Sequence, residues 1–284
     1  MDKKRKSNFS VVMHRLKKNK LAMAGLVVII LLFIVALMAP WIMPYDYAEQ
    51  DYSAVLLKGS REHLLGTDNL GRDILSRLLY GTRISLLMGV LIVAIGATVG
   101  ILLGSIAGFY GGKVDNFIMR FLDIYQSIPN ILLAIALSTS MGPGLKSCVI
   151  ALGVASFAGY ARLIRASILQ VRESEYVEAA RAINAGDKRI LFKHILPNAF
   201  SPMIVYITMY IGSSILAAAS LSFIGLGAQP PLPEWGAMLS SGRDLMRDYP
   251  TLVIYPGCAI MLTVLAFNLF GDGLRDALDP RLKT

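Results

Sequence analysis

Six long apolar runs dominate the chain, at about 21–43, 84–109, 124–142, 146–163, 201–225 and 250–271. Each is near the roughly 20 residues that a helix needs to cross the hydrocarbon of a bilayer. The pattern predicts an all-α polytopic membrane protein with six transmembrane helices. Pro129 falls inside the third run, where its missing N–H either kinks the helix or starts it. The first run reads as a retained span and not a signal peptide. From Leu21 to Ala39 it exceeds the usual apolar core of a leader, and no small-x-small site breaks it before Pro40 and Trp41.

Between the runs, 44–83 is the largest polar segment. Its first half is rich in turn formers, Tyr and Asp, and is expected to fold loosely against the membrane. Leu70, Ile74, Leu75, Leu78 and Leu79 then recur at helical spacing, opposite Arg72, Asp73, Ser76 and Arg77. That predicts an amphipathic helix at the outer interface, leading into the second span. Glu173 to Asn198 is different in kind: polar, yet helical in pattern. Ala179, Ala180, Ala182 and Ala185 are strong helix formers, and Glu178 with Arg181 makes an i,i+3 pair. Gly186 is placed to end this helix in the left-handed conformation and Asp187 to cap the next. The second helix shows Ile190, Leu191 and Ile195 before Pro197 stops it. The chain thus divides into a basic tail with the first span (1–43), an outer loop with its amphipathic helix (44–83), a five-helix core containing the 164–200 knuckle (84–272), and a tail (273–284).

Charge orients these pieces. The short segments on the amino-terminal side carry 20 Lys and Arg, those on the other side 8, while the acids divide 10 to 9. This positive-inside bias puts both termini and the knuckle in the cytoplasm. It also accounts for the net charge of +9 without nucleic acid, because the basic residues are split among membrane loops with no stacking motif beside them. Composition agrees: 55% hydrophobic, 17% charged, mean hydropathy +0.58, where soluble domains run nearer about 25% charged. Trp41, Tyr45, Tyr110 and Tyr160 fall near segment ends, as interfacial anchors do. Arg120 and Asp123 can pair at the membrane edge, and Arg162 and Arg165 stand at headgroup height. Cys148 and Cys258 lie in apolar runs as small hydrophobes and outline no disulfide.

Within the spans, small residues are the most informative. Gly96, Gly100, Gly104 and Gly108 stripe one face of the second helix and let another backbone approach closely. That suits either a tightly packed helix near a translocation core or an ordinary packing groove. Gly212, Ser213, Ser214, Ala217, Ala218, Ala219 and Ser220 suit close packing or a polar passage. Catalytic signals are missing. There is no GxxxxGK[ST], no HExxH, and the histidines are His14, His63 and His194, none mid-membrane. No span holds a central acid or base of the sort ion-coupled carriers commonly use. The catalytic residue list is empty, no metal or cofactor site is visible, and energy is expected from outside the chain.

Residues 178–197, EAARAINAGDKRILFKHILP, resemble the EAA loop of ABC importer permeases. Glu178, Ala179, Ala180, Leu196 and Pro197 match that pattern, and Asn184 stands where the family has glycine. HLLGTDNLGRDILSRLLYGTRISL at 63–86, PEWGAMLSSGRD at 233–244 and LTVLAFNLFGDGLRDALDPRL at 262–282 are similar to the C-type permease of dipeptide, oligopeptide and nickel importers. The resemblance covers nearly the whole chain. It implies a type I importer permease fold in a prokaryotic cell membrane, moving di- or oligopeptides by alternating access. It also implies a homologous B-type permease, two cytoplasmic ATPases that hold ATP and Mg, and an extracytoplasmic binding protein. The knuckle, with Glu178, Ala179, Ala180, Asn184, Gly186, Asp187, Leu196 and Pro197, would be the ATPase-coupling loop. A nickel importer of the same build is the nearest alternative, and a secondary carrier or channel a more distant one.

Overall fold

A helix satisfies its own backbone in hydrocarbon, so an apolar run folds as one, and all but the third do. The computed structural model describes residues 8–278; the basic cluster Lys3–Lys6 and the tail at 279–284 lie outside the described residues. In chain order the helices are α1 (Asn8–Lys18), α2 (Lys20–Ile42), α3 (Ile74–Tyr110), α4 (Gly112–Gln126), α5 (Asn130–Met141), α6 (Leu145–Arg172) and α7 (Glu175–Ala182). A second short run follows as α8 (Asp187–Arg189), a π-helical turn (Ile190–Ile195) and α9 (Leu196–Ala199). Then come α10 (Ser201–Phe223), α11 (Trp235–Gly242) and α12 (Thr251–Leu278).

Among the described residues five helices, α2, α3, α6, α10 and α12, are long and apolar enough to span. The sixth crossing is not the straight helix expected over 124–142. It is made by α4 and α5, which meet at an angle of 80°. Alone, the 12 residues of α5 cover only about 18 Å. Contacts at each end show that the pair goes from side to side. Near its start, Arg172 Nη1 at the foot of α6 donates to the Gly108 carbonyl at 3.2 Å. Near its finish, Ser138 Oγ and the Gly144 amide donate to the Leu226 carbonyl, at 3.2 and 3.3 Å, beyond the outer end of α10. Of the two roles left open for Pro129, the structure takes the start: it is the N-cap residue of α5.

α6 is the centre of the bundle. In its most apolar stretch 72% of residues are buried, against 22% in α2. The glycine stripe makes this possible. A Cβ on Gly100 would overlap the Phe157 carbonyl oxygen and lie 2.6 Å from Tyr160 Cβ; on Gly104 it would overlap the Ala161 carbonyl and lie 2.5 Å from Ile164 Cγ2. Gly96 faces Ser156 and Tyr160, and Gly108 faces Ile168. The close partner is therefore α6 of the same chain. Tyr160 is likewise no interfacial anchor. It is fully buried, with its ring 5.0 Å from Tyr206 and 5.4 Å from Tyr210, while Trp41 and Tyr110 are exposed.

The 44–83 segment is not loose, and the polar side of the supposed interfacial helix faces protein. Arg72, Asp73, Ser76 and Arg77 are all buried. Asp73 caps α3, accepting from the Ser76 amide and hydroxyl at 2.7 Å each, and meets His63 Nδ1 at 3.0 Å. Asp68 pairs with Arg72 at 2.7 Å and lies 3.5 Å from Arg77. Arg77 Nη1 then donates to the carbonyls of Tyr47 and Pro231, at 2.8 and 3.3 Å. The stretch after α10 contains a helix where a plain loop was expected. Buried Glu234 opens α11 by accepting from the Ala237 amide at 3.0 Å, and Trp235 Nε1 donates to the Leu78 carbonyl at 3.3 Å.

Gly104→Leu drives a branched side chain into the α6 backbone, so we expect a loss of at least about 3 kcal/mol, seen as a large fall in melting temperature of the detergent-solubilised protein. Gly257→Ala is the control, since a Cβ added there would meet Leu239 Cδ2 at an ordinary 4.0 Å; it should change stability by less than about 1 kcal/mol. Equal melting of the two variants would contradict the packing account.

Candidate functional site

The knuckle folds as its residues require, with one shift of position. α7 ends at Ala182 with Ile183 as its C-cap, and Asn184 takes the left-handed conformation with φ of 56°. The Asn184 amide donates to the Arg181 carbonyl at 2.8 Å, and the Ala185 amide to the Ala180 carbonyl at 3.1 Å. This pair of bonds is a Schellman motif, and Ala185 packs under it on the apolar cluster containing Ala180. The stop expected at Gly186 thus falls on Asn184, the residue standing at the family's glycine. Gly186, with φ of −65°, becomes the N-cap, and Asp187 is the first helical residue instead of the cap. Its charge still suits a helix N-terminus.

Pro197 does not stop the second run. The Leu196 amide reaches back five residues to the Leu191 carbonyl, and the π-turn passes directly into α9. Proline has no N–H to continue the ordinary ladder, and a widened turn accommodates its ring. Asn198 Nδ2 donates to the His194 carbonyl at 2.7 Å, occupying an acceptor the disturbed ladder exposes.

The knuckle has two faces with different partners. Val177, Ala180, Ile190, Ile195 and Ala199 are buried in one cluster with Tyr160, Ile164, Ile168 and Met203 of α6 and α10. The apolar side chains of the second helix therefore seat on this chain's own spans. The other face carries Tyr176, Ile183 and Phe192, which are 45%, 76% and 65% exposed, together with exposed Ala179 and Pro197. Three large apolar side chains in water call for a partner. Around them stand exposed Glu178, Arg181, Asp187, Lys188 and Arg189. Among the described residues no ion pair joins Glu178 to Arg181. Leu196 is half-buried beside the cluster.

The neighbouring helix ends are braced by charge. Arg165 forms two bonds to the Asp115 carboxylate, at 2.5 Å each, joining α6 to the first turn of α4. Asp123 pairs with Arg162 at 2.9 Å and not with Arg120. Among the described residues no group of three or more His, Cys, Asp or Glu side chains could hold a metal ion.

The described residues thus form a helical bundle with one broken crossing and an ordered knuckle at the foot of its central span. It overlays a chain of the MetNI methionine ABC transporter in an inward-facing conformation with a TM-score of 0.58, at 19% identity, covering 72% of this chain and 98% of that one. Residues 100–284 match the binding-protein-dependent transport system inner membrane component family, and residues 7–59 match the N-terminal transmembrane domain of oligopeptide transport permease C. The chain belongs to the first of these families, as a multi-pass membrane protein. It is 49% identical over 271 residues to the glutathione transport system permease protein of Pectobacterium atrosepticum, covering 95% of this chain and 90% of that protein. It is 46% identical over 270 residues to the dipeptide transport system permease protein of Alkalihalophilus pseudofirmus, with 95% and 89% covered. Identity to the di/tripeptide transport system permease protein of Pseudomonas aeruginosa is 48%, with 93% and 89% covered.

The two faces make a clean test. Ala180→Trp has no room in the inner cluster and should lower the melting temperature, at a cost of about 1–3 kcal/mol or more. Ala179→Trp, one residue away on the outer face, should melt with the wild type. The reverse order would show that the faces are assigned wrongly.

Proposed function

We propose that this chain is one permease half of an ATP-driven, binding-protein-dependent importer of peptides, taking di- or oligopeptides or glutathione into the cytoplasm. The observation that carries this reading is agreement among relatives. Three proteins at 46–49% identity, each matched over more than nine-tenths of this chain, are all named for transport of glutathione or short peptides. Nickel has no such support among them. The complex would contain a homologous second permease, a pair of cytoplasmic ATPases holding ATP and Mg, and an extracytoplasmic binding protein.

The knuckle would be the coupling element. Tyr176, Ile183 and Phe192 would seat in the ATPase, with Glu178, Arg181, Lys188 and Arg189 at the rim of the contact. Glu178, Ala179, Ala180, Asn184, Gly186, Asp187, Leu196 and Pro197 divide between shaping the knuckle and meeting the partner. Asn184 ends α7, Gly186 opens the next helix, Ala180 keeps the inner face tight, and Ala179 stays small where the partner lies close. ATP-driven closure of the ATPases would then shift the permease between its two access states, an equilibrium biased by ligand and not a reaction in this chain.

The complete complex in proteoliposomes should take up a labelled dipeptide only with ATP inside and loaded binding protein outside. Ile183→Asp should leave the complex assembled and its melting unchanged, while stimulation of ATP hydrolysis by the loaded binding protein falls at least about tenfold. Normal stimulation in both Ile183→Asp and Phe192→Asp would remove this face from the coupling contact. Uptake of nickel in place of peptide would favour the alternative importer.

A further inference from the structure

The break between α4 and α5 faces a cavity of about 140 Å³ at mid-bundle. Its walls are Ile92 of α3, Leu152, Ala155 and Ser156 of α6, and Tyr210, Ser213, Ser214 and Ala217 of α10. The remaining wall is Asn130 and Ile131, the opening turn of α5. Three observations there have no part in packing the fold.

The helix end is uncapped. The first backbone bond of α5 runs from the Leu133 amide to the Pro129 carbonyl, 3.1 Å, and no side chain caps the amides ahead of it. Such an end carries partial positive charge and free donors, and in a bilayer no bulk water matches them. Ser214 is the second. It is only 2% exposed, it lines the cavity, and its hydroxyl has no hydrogen-bond partner. Ser156 on the opposite wall differs, since its hydroxyl donates to the Gly153 carbonyl at 3.0 Å. The third is the wall chemistry: hydroxyls and an amide side chain, with no Asp or Glu to repel an anion and no Lys or Arg to hold one tightly.

We propose that this cavity is a transient subsite for the carboxylate of a peptide substrate in passage. The first-turn amides of α5 and the Ser214 hydroxyl would donate to it, with Ser213 and Asn130 on the open side. Broken membrane helices present half-helix N-termini to anionic substrate groups in other transporters by the same physics. The absence of a fixed cation matters for transport, because a site crossed on every cycle must release its ligand. The inference rests on the importer reading above.

The test uses the complete complex in proteoliposomes with two probes, alanylphenylalanine and its C-terminal amide, each supplied at measured, saturating occupancy of the binding protein. We expect the wild type to move the free acid about tenfold faster than the amide, as for loss of one hydrogen bond to a charged group. Ser214→Ala should slow the acid, leave the amide rate unchanged and bring the ratio near one. Ser214→Thr, which keeps the hydroxyl, should restore the ratio, and ATP hydrolysis stimulated by loaded binding protein should persist in both. A wild-type ratio of one overturns the subsite even if Ser214→Ala cannot be assembled. So does a ratio unchanged by Ser214→Ala. A wild-type complex that moves neither peptide overturns the importer reading, and the subsite with it.

Discussion

The close approach of α3 and α6 is the contact on which the rest of the structure depends. Inside a bilayer the hydrophobic effect does not drive helix against helix, so association relies on dispersion and on how near two backbones can come. Four glycines at four-residue spacing put the backbone of α3 against the carbonyls of Phe157 and Ala161. With that seam closed, α6 becomes the buried centre, and its remaining faces receive α5 and α10 outside and the knuckle below. Gly153 of α6 repeats the arrangement in reverse, since a Cβ added there would lie 2.8 Å from Ile95 Cβ of α3. The seam is thus interlocked from both sides, which fixes its register as well as its distance.

Polar contacts then hold the ends of a bundle whose middle is held by shape. At one end Asp68, Arg72, Arg77 and the carbonyls of Tyr47 and Pro231 form one connected buried group. At the other end the part-buried pair of Asp115 and Arg165 joins α4 to α6. Buried ion pairs add little net stability over an apolar replacement, but stranding one partner costs about 3–5 kcal/mol. Their effect is to penalise every arrangement except the one that pairs them. Arg77 shows the logic well: it reaches back to the loop before α3 and forward to the loop before α11, so one side chain ties both outer loops to one helix end.

Much of this was legible in residue order, and the misreadings share a cause. Apolar runs locate spans because hydrocarbon leaves the backbone no choice, and five of the six were readable to within a turn at one end or both. The helical pattern of 173–198 likewise located the knuckle, since alanine content and spacing are local properties. Periodicity, however, separates two faces without saying what covers each. Arg72, Asp73, Ser76 and Arg77 mark a polar face correctly, yet protein and not water lies over it. Ile190 and Ile195 mark an apolar face correctly, yet it turns to the chain's own spans, and the exposed apolar residues are Tyr176, Ile183 and Phe192. Tyr160 failed for the same reason: closeness to a span end suggested an interface, and three-dimensional neighbours decided otherwise. Gly186 and Asn184 were a different error. Both tolerate positive φ, and glycine is the better residue for it, but the length of α7 decided which position needed it.

The same two-sidedness constrains how any push on the knuckle travels. Its inner face is closed: Val177, Ile190 and Ile195 are fully or nearly fully buried against Ile164 and Ile168, leaving no slack between knuckle and central span. Close-packed apolar contacts shift as units and do not compress. A load on the outer face therefore reaches α6 and α10 as a displacement of the whole lower cluster, including Tyr160, whose ring meets the stacked pair Tyr206 and Tyr210 edge-on. α5 stands apart from that unit. It is joined to α4 through Ser127, Ile128 and Pro129, with no helical bond carried through the bend, and it packs on the outer half of α6. Lower and outer halves of the bundle can thus move by different amounts, and the place where they part is the mid-membrane break.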